Sequence, residues 1–225
     1  MIRRDYILRM IEEFLKALSR IESLKRSRSF DEAGEAVNDE MRRLIGTDAQ
    51  AAVRLSETEL LAKLVRDEAT LVVRHKTLLV TTLLKEAGDL AVRDGRAEEG
   101  RAFHLKSLNL LLQVFASGEI EDYPEFVPKV ELLTAALRDA PLPAPTVAVL
   151  MQHCERIGEF ARAEDALYVL FDQLGETPEV LDFGLAFFTR LAARSDDALE
   201  AGGLPRAEME SDQADLKRKR AALVR

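Results

Sequence analysis

Apolar residues recur at intervals of three and four along most of the chain, which is the spacing of one face of an α-helix. The first helix is predicted over residues 3–27. Its apolar face carries Tyr6, Ile7, Met10, Ile11, Phe14, Leu15, Leu18, Ile21 and Leu24. The segment 71–84 is rich in valine and threonine, but Leu64, Leu71 and Leu78 follow one another at sevenfold spacing, which favours a helix there as well. Because no alternating strand pattern appears, the sequence predicts an all-α fold of about ten helices with antiparallel neighbours.

Caps mark where several of these helices begin and end. A serine or threonine followed three residues later by Glu or Gln forms a capping box, and such pairs predict helix starts at Ser29, Thr47 and Ser56. Gly46 and Gly118 predict helix ends, since glycine readily adopts the left-handed geometry that terminates a helix.

The helical pattern is interrupted most strongly by three closely spaced prolines, Pro141, Pro143 and Pro145. Each of them disfavours helical geometry at the residue before it, so we predict a hinge or unit boundary at 140–145. Beyond the break, Thr177 followed by Pro178 and then Pro205 predict the starts of two further helices.

Two clusters of glycine and alanine predict tight turns between antiparallel helices. Residues 158–163 read Gly-Glu-Phe-Ala-Arg-Ala and resemble the inter-helix turn of a tetratricopeptide repeat, in which glycine ends the first helix and alanine lets the second pack closely. The same relative positions upstream are held by Ala87, Gly88, Ala91, Gly95, Ala97 and Gly100. The resemblance implies repeat hairpins at 81–114 and 144–177 and a third, stretched pair at 177–224, stacked in a tetratricopeptide-like superhelix.

In tetratricopeptide proteins the first helix of each repeat lines the ligand groove. The resemblance assigns that role to Lys85, Asp89, Arg93, Gln152, Glu155 and Arg156. Long side chains of both signs favour a polar or charged peptide held by charge-assisted hydrogen bonds, although an ordinary solvated helix surface has the same composition. Asp89 stands where the family's clamp for a terminal carboxylate has asparagine, which disfavours an anionic chain end as the ligand.

The chain is expected to contain an N-terminal helical segment, 1–66, and the repeat region, 67–225. Whether these are two domains or one continuous domain is left open. The opening residues 5–11 also resemble the start of a bacterial family of helical proteins, a resemblance that implies no activity.

Five residues of the first helix keep a four-three rhythm for two heptads: Ile7, Ile11, Phe14, Leu18 and Ile21. A coiled coil needs about three to four heptads. Residues 1–28 carry eight basic and four acidic groups, so this helix is attracted to the acidic remainder of the fold or to a neighbouring molecule. We favour docking into the chain's own core, then a homodimer seam, and last a membrane-surface anchor, which the acidic residues of the helix oppose.

The net charge of −8, from 32 basic and 40 acidic residues, argues against nucleic acid as a partner. The single cysteine, Cys154, cannot form an internal disulfide, and no apolar signal core follows the first residues, so the cytoplasm is the expected compartment. The longest uncharged run, 140–154, has 15 residues and three prolines. Because a helix needs about 18 to 20 apolar residues to span a bilayer, no transmembrane segment is predicted.

Residues suited to catalysis or metal binding are few. His153 and Cys154 are adjacent, so a helix points them about 100° apart, and Cys154 is predicted to pack as a small buried residue. The paired acids Glu98-Glu99, Glu164-Asp165 and Asp196-Asp197 are predicted to be solvated surface. The basic run 217–220 complements the dipole of the last helix. No metal, cofactor or nucleotide motif is predicted.

These observations support one main hypothesis and two rivals. The main hypothesis is a non-enzymatic protein that binds another protein or a peptide through a helical-repeat surface. The first rival is a structural homodimer assembled through the N-terminal helix. The second is an enzyme with a site between helices, which would require a buried cluster of ionisable groups in a closed pocket.

Overall fold

The computed structural model describes residues 2–65, 69–118 and 123–223. These residues form twelve α-helices and contain no strand, which confirms the all-α prediction. Among the described helices, none combines the length and the apolar character that crossing a bilayer requires. The helices are α1 (Ile2–Arg26), α2 (Phe30–Ile45), α3 (Ala49–Arg54), α4 (Glu57–Val65), α5 (Thr70–Arg93), α6 (Ala97–Ala116), α7 (Val130–Ala136), α8 (Ala144–Ile157), α9 (Phe160–Leu174), α10 (Pro178–Ala192), α11 (Asp196–Ala201) and α12 (Arg206–Ala222).

The chain divides into two compact units, Met1–Pro141 and Leu142–Arg225, which we call unit 1 and unit 2. The division falls inside the proline-rich stretch, so the boundary predicted at 140–145 is confirmed. The boundary predicted at residue 66 falls on residues 66–68, which lie outside the described residues. The division into 1–66 and 67–225 and the tetratricopeptide-like superhelix therefore stay predictions.

Helix α1 places its apolar face in the core of unit 1. Phe14 and Ile21 are fully buried, Ile7 and Leu18 are buried, and Ile11 is half-buried. The helix packs against α2 and α5, in a core that also contains side chains of α3, α4 and α6. Burying these large apolar side chains stabilises the fold by about 1.5 to 3 kcal/mol for each one that is fully removed from water.

The valine- and threonine-rich segment is helical, as its sevenfold spacing predicted, and it forms the first half of α5. The hydroxyl groups of Thr77, Thr81 and Thr82 donate to the backbone carbonyl oxygens four residues earlier, at 2.8, 2.8 and 3.0 Å. Because these buried hydroxyls find partners within the helix, the threonines can face the core without a desolvation penalty.

Helices α5 and α6 form an antiparallel hairpin whose backbones approach closely at two glycines. A Cβ atom added to Gly88 would lie 2.5 Å from the ring of His104, and one added to Gly100 would lie 2.9 Å from the carbonyl oxygen of Gly88. Gly95 in the turn has a φ of +77°, which glycine adopts without strain. The small residues of the first predicted turn therefore have the physical role assigned to them, which is to permit close helix pairing.

The three predicted capping boxes differ in the structure. Ser56 and Glu59 form the full reciprocal pair, since the Ser56 backbone N–H donates to the Glu59 carboxylate at 2.8 Å and the Glu59 N–H donates to the Ser56 hydroxyl at 3.2 Å. Ser29 occupies the cap position of α2, but its side chain makes no capping hydrogen bond. The start predicted at Thr47 is wrong by one residue, because the carboxylate of Asp48 caps α3 by accepting from the Ala51 N–H at 2.8 Å.

Unit 2 contains two hairpins, α8 with α9 and α10 with α12, and the short helix α11 lies between the last two in sequence. Gly158 ends α8 in left-handed geometry, and Thr177 caps α10 by accepting from the Val180 N–H, both as predicted. Cys154 is buried, which confirms its predicted packing role. Helix α11 was not predicted, since its six residues are too few to show a period.

The inter-helix turns of unit 2 contact each other. The backbone N–H of Ala161, at the start of α9, donates to the carbonyl oxygen of Gly202 at 3.0 Å. A Cβ atom at Gly202 would overlap the ring of Phe160 and would lie 2.5 Å from the carbonyl oxygen of Gly158. Glycine at 202 is therefore required for the α11–α12 turn to reach the α8–α9 turn.

We expect Gly100→Ala to lower the free energy of unfolding by about 1 to 3 kcal/mol, because the new methyl group would press on the backbone of α5. Gly34→Ala is the matched control. Gly34 is also helical, but a Cβ atom there would have no neighbour within 4 Å, so alanine should raise stability by about 0.4 to 1 kcal/mol. Urea unfolding followed by far-UV circular dichroism measures both, and equal effects would contradict the close approach.

Candidate functional site

Two of the six residues predicted to bind a partner, Lys85 and Asp89, lie one turn apart on α5 and belong to an ion network in unit 1. The Lys85 ammonium group lies 2.8 Å from the Asp89 carboxylate and 2.9 Å from the Glu86 carboxylate. Glu86 also accepts from Lys25 of α1 at 2.5 Å, and Asp89 lies 3.0 Å from Nε2 of His104 on α6. This network joins α1, α5 and α6.

The charges of this network shift two pKa values. Burial of the Asp89 carboxyl group opposes its ionisation, but hydrogen bonds from His104 and Lys85 and the nearby positive charges outweigh burial, so its pKa is lowered. Burial likewise opposes the charge on Lys85, but Asp89 and Glu86 outweigh it and raise the pKa of the ammonium group. Both groups are therefore held in their charged forms.

The other four predicted residues have different surroundings. The Arg93 guanidinium group stacks on the ring of Phe30 in α2. In unit 2, the Glu155 carboxylate accepts two hydrogen bonds from Arg190 of α10, at 2.6 and 2.7 Å, while Gln152 and Arg156 are exposed on α8. A ligand that engaged Lys85, Asp89 or Glu155 would have to exchange these intrachain ion pairs, and the partner-binding role of the six residues stays a prediction.

Unit 1 has a groove of about 840 Å³ between α1, α5 and the segment that leads into α7, and we call it the unit 1 groove. It is lined by Ile11, Leu15, Leu18, Ser19, Glu22, Thr82, Lys85, Glu86, Pro124, Glu125, Phe126, Val127, Pro128, Lys129 and Leu132. Leu15 and Leu132 are large apolar side chains, yet 44% and 47% of their surfaces are exposed. Phe126 fixes one wall, because its ring packs on Phe14 with centroids 5.1 Å apart and its carbonyl oxygen accepts from the Thr82 hydroxyl at 3.3 Å.

The charged residues of the unit 1 groove differ in whether they already form ion pairs within the chain. Lys85 and Glu86 are held in the ion network of α5. Glu22, Glu125 and Lys129 are exposed, and within the described residues none of the three takes part in an ion pair. As far as the structure describes the chain, the groove therefore combines an apolar lining with two carboxylates and one ammonium group that form no ion pair.

Unit 2 contains a second cluster of ionisable groups, Glu164 of α9 with Glu208 and Asp212 of α12, which we call the Glu164 cluster. One carboxylate oxygen from each residue lies within 4.8 Å of those of the other two. Glu164 is only 8% exposed, and its Oε1 has no hydrogen-bond partner within the described residues. Burial, followed by the hydrogen bond and the charge of Asp212, raises the pKa of Glu164 to about 8.

The prediction that Glu164 and Asp165 form a solvated pair is wrong for Glu164. Asp165 is exposed, but Glu164 lies on α9 beside the buried Ala163 and Leu167, so it shares their inward-facing side. The neighbouring Tyr168 reports the same environment, because burial and then the charges of Asp212 and Glu164 raise the pKa of its hydroxyl to about 12. The position of Glu164 relative to these apolar residues is the sequence signal that could have identified it.

The remaining acidic pairs and the basic run are surface groups. Glu98, Asp196 and Asp197 are exposed, as predicted, and Glu99 pairs with Arg96 at 2.6 Å. The C-terminal basic residues form intrachain contacts within unit 2: Lys219 with Glu176 at 2.5 Å and Arg220 with Asp182 at 2.8 Å.

Comparison with known proteins places almost the entire chain within one family model. A family of unknown function (DUF6483) matches residues 1–221. Neither the curated proteins nor the solved structures contain a match to the chain. Function must therefore be argued from the side chains described above.

We expect Asp89→Asn to lower the free energy of unfolding by about 1 to 2 kcal/mol at neutral pH, because Lys85 and the buried His104 lose a charged partner. The folded-state pKa of Asp89 lies below its ordinary value of 3.8, so its contribution is present above that pH and is lost as the pH falls through the folded-state pKa. The difference in unfolding free energy between Asp89→Asn and wild type should therefore become smaller below about pH 4.

Urea titrations at a series of pH values measure this difference. Asp39→Asn is the control, since Asp39 forms an exposed ion pair with Arg42 on one helix, and such pairs contribute little to stability. If Asp89→Asn lowered the free energy of unfolding by the same amount from neutral to strongly acidic pH, the stabilising role of the Asp89 charge would be contradicted.

Proposed function

The chain belongs to the DUF6483 family of unknown function, and we propose that it is a non-enzymatic helical protein that binds a segment of another protein. The observation that carries this proposal is the unit 1 groove, where Leu15 and Leu132 leave almost half of their surfaces exposed. Single exposed apolar residues are common in folded proteins, but exposed apolar residues gathered in one depression with a polar rim are typical of a binding surface. We expect this binding to take place in the cytoplasm.

The chemistry of the unit 1 groove favours an amphipathic segment as its occupant. Ile11, Leu15 and Leu132 offer apolar contacts to side chains repeated at helical spacing. The carboxylates of Glu22 and Glu125, which form no ion pair with any described residue, would attract lysine or arginine on the flank of such a segment, and this complementarity would govern specificity and association rate. The proposed ligand is therefore a protein segment with an apolar face and basic flanking residues.

This site modifies the groove expected from the sequence. Lys85 lines the unit 1 groove, so one of the six predicted residues belongs to the proposed site. The two hairpins with small residues at their turns, α5–α6 and α8–α9, support our further proposal that the chain is built from degenerate tetratricopeptide-like repeats. Under that proposal, Gln152 and Arg156 provide a second exposed surface on α8.

A second copy of this chain is the alternative occupant, as in the predicted homodimer through the N-terminal helix. Four of the five residues predicted for that role are buried within unit 1, namely Ile7, Phe14, Leu18 and Ile21. Ile11 is half-buried and lines the groove together with Leu18. A dimer would therefore be formed by Ile11 and Leu15 rather than by the full heptad set.

Replacing the two exposed leucines tests the proposal. Leu15→Asp combined with Leu132→Asp should weaken binding by at least about tenfold, because the apolar area lost from the interface is worth about 1 kcal/mol or more for each leucine. Affinity purification from the native cell with wild type and variant side by side identifies the partner, and titration calorimetry with the partner segment measures the loss.

Leu71→Asp is the matched control, since Leu71 is 55% exposed in unit 1 but does not line the groove. Circular dichroism verifies that all variants fold. A partner that binds the groove variant and the wild type equally would refute this site. A dimeric mass in solution that becomes monomeric in the groove variant but not in Leu71→Asp would identify a second copy as the occupant and refute the heterologous partner.

A further inference from the structure

The Glu164 cluster places three carboxylates where a single cation could contact all of them. Glu208 and Asp212 are four residues apart on α12 and so share one face of that helix, and Glu164 reaches the same point from α9. Their carboxylate oxygens lie within 4.8 Å of one another. Two oxygens on opposite sides of Ca²⁺ are separated by about 4.6 to 5.2 Å, and on opposite sides of Mg²⁺ by about 4.2 Å, so the spacing suits ions of this size.

One oxygen of Glu164, Oε1, lacks the partner that its burial requires. The residue is 8% exposed, and Oε1 accepts no hydrogen bond within the described residues. The carboxylates of Asp212 and Glu208 cannot donate to it when they are ionised, and they repel its charge. A buried polar atom without a partner is rare in folded proteins and requires an explanation, such as an ion.

The basic side chains of α12 do not supply the missing positive charge. Their contacts are Arg206 with Asp196, Lys217 with Gln213, Arg218 with Asp215, Lys219 with Glu176, and Arg220 with Asp182. Within the described residues, these contacts leave the three carboxylates without an ion pair to a lysine or arginine of this helix.

We propose that Glu164, Glu208 and Asp212 bind one hard divalent cation, Mg²⁺ or Ca²⁺, and that this cation links α9 to α12 within unit 2. The donor set consists of carboxylate oxygens, which these ions prefer, and it lacks the thiolate or imidazole ligands that select zinc or copper. Because Glu208 is exposed and Asp212 is half-buried, water can complete the coordination sphere. This proposal concerns unit 2 and is independent of the unit 1 groove.

Calorimetric titration of the chelator-treated full chain with CaCl₂ and, separately, with MgCl₂ tests the proposal and distinguishes the two ions. We expect one site per chain and a higher melting temperature in the presence of the bound ion. NaCl at matched ionic strength controls for screening of the acidic surface. Equal thermal shifts with NaCl, or the absence of binding at millimolar concentrations of both ions, would overturn the proposal.

Variants then locate the site. Glu208→Gln with Asp212→Asn changes residues at the surface of α12 and should weaken cation affinity at least tenfold without loss of the fold. Glu164→Gln should abolish cation binding, while in chelator it should melt no lower than wild type, since it removes a buried acid. The control variant combines Asp196→Asn with Asp197→Asn, an exposed pair in the same unit, and should bind the cation as wild type does. Loss of cation binding in this control would refute the site, and so would wild-type binding in the cluster variants.

Discussion

The close approach of α5 to α6 is the contact on which the rest of unit 1 depends. Bare backbone at Gly88 and Gly100 lets the two helices meet, and this brings His104 of α6 beside Asp89 of α5. Asp89 in turn fixes Lys85, which lies on the wall of the groove. Helix packing, the ion network and one side of the proposed binding surface thus follow from the same two small residues.

The two units use their polar residues in different ways. In unit 1, each acid of the α5 network faces a base, as Glu86 does between Lys25 and Lys85, so the charges reinforce the fold and leave an apolar groove beside it. In unit 2, Glu164 faces Asp212 and Glu208, which are groups of the same sign. A balanced network needs no ligand, whereas a cluster of like charges must hold protons or a cation. Unit 1 would therefore offer a partner its exposed apolar groove, whereas unit 2 would offer an ion its cluster of carboxylates.

The sequence predicted helix content, most helix ends and the proline-rich boundary, because periodicity, glycine and proline act locally. It did not predict which capping pairs would form: the Ser56 and Glu59 pair is reciprocal, while Ser29 makes no side-chain cap. It also missed the burial of Glu164, because Glu208 and Asp212 are distant in sequence and only packing brings them to α9. The sequence likewise did not predict which charged side chains form ion pairs. Pairs such as Glu155 with Arg190 join helices that are not adjacent in sequence.

The hydrogen bond from Ala161 to Gly202 affects how unit 2 unfolds. In a simple repeat array, each hairpin contacts its neighbours through helix faces, and a terminal hairpin can fray while the others stay intact. Here the turn before α12 accepts a hydrogen bond from the first turn of α9. Unfolding of the α10–α12 hairpin would therefore also remove a backbone hydrogen-bond acceptor from the α8–α9 hairpin. Unit 2 should therefore melt in a single concerted step, with its last helix as an integral member and not as a detachable end cap.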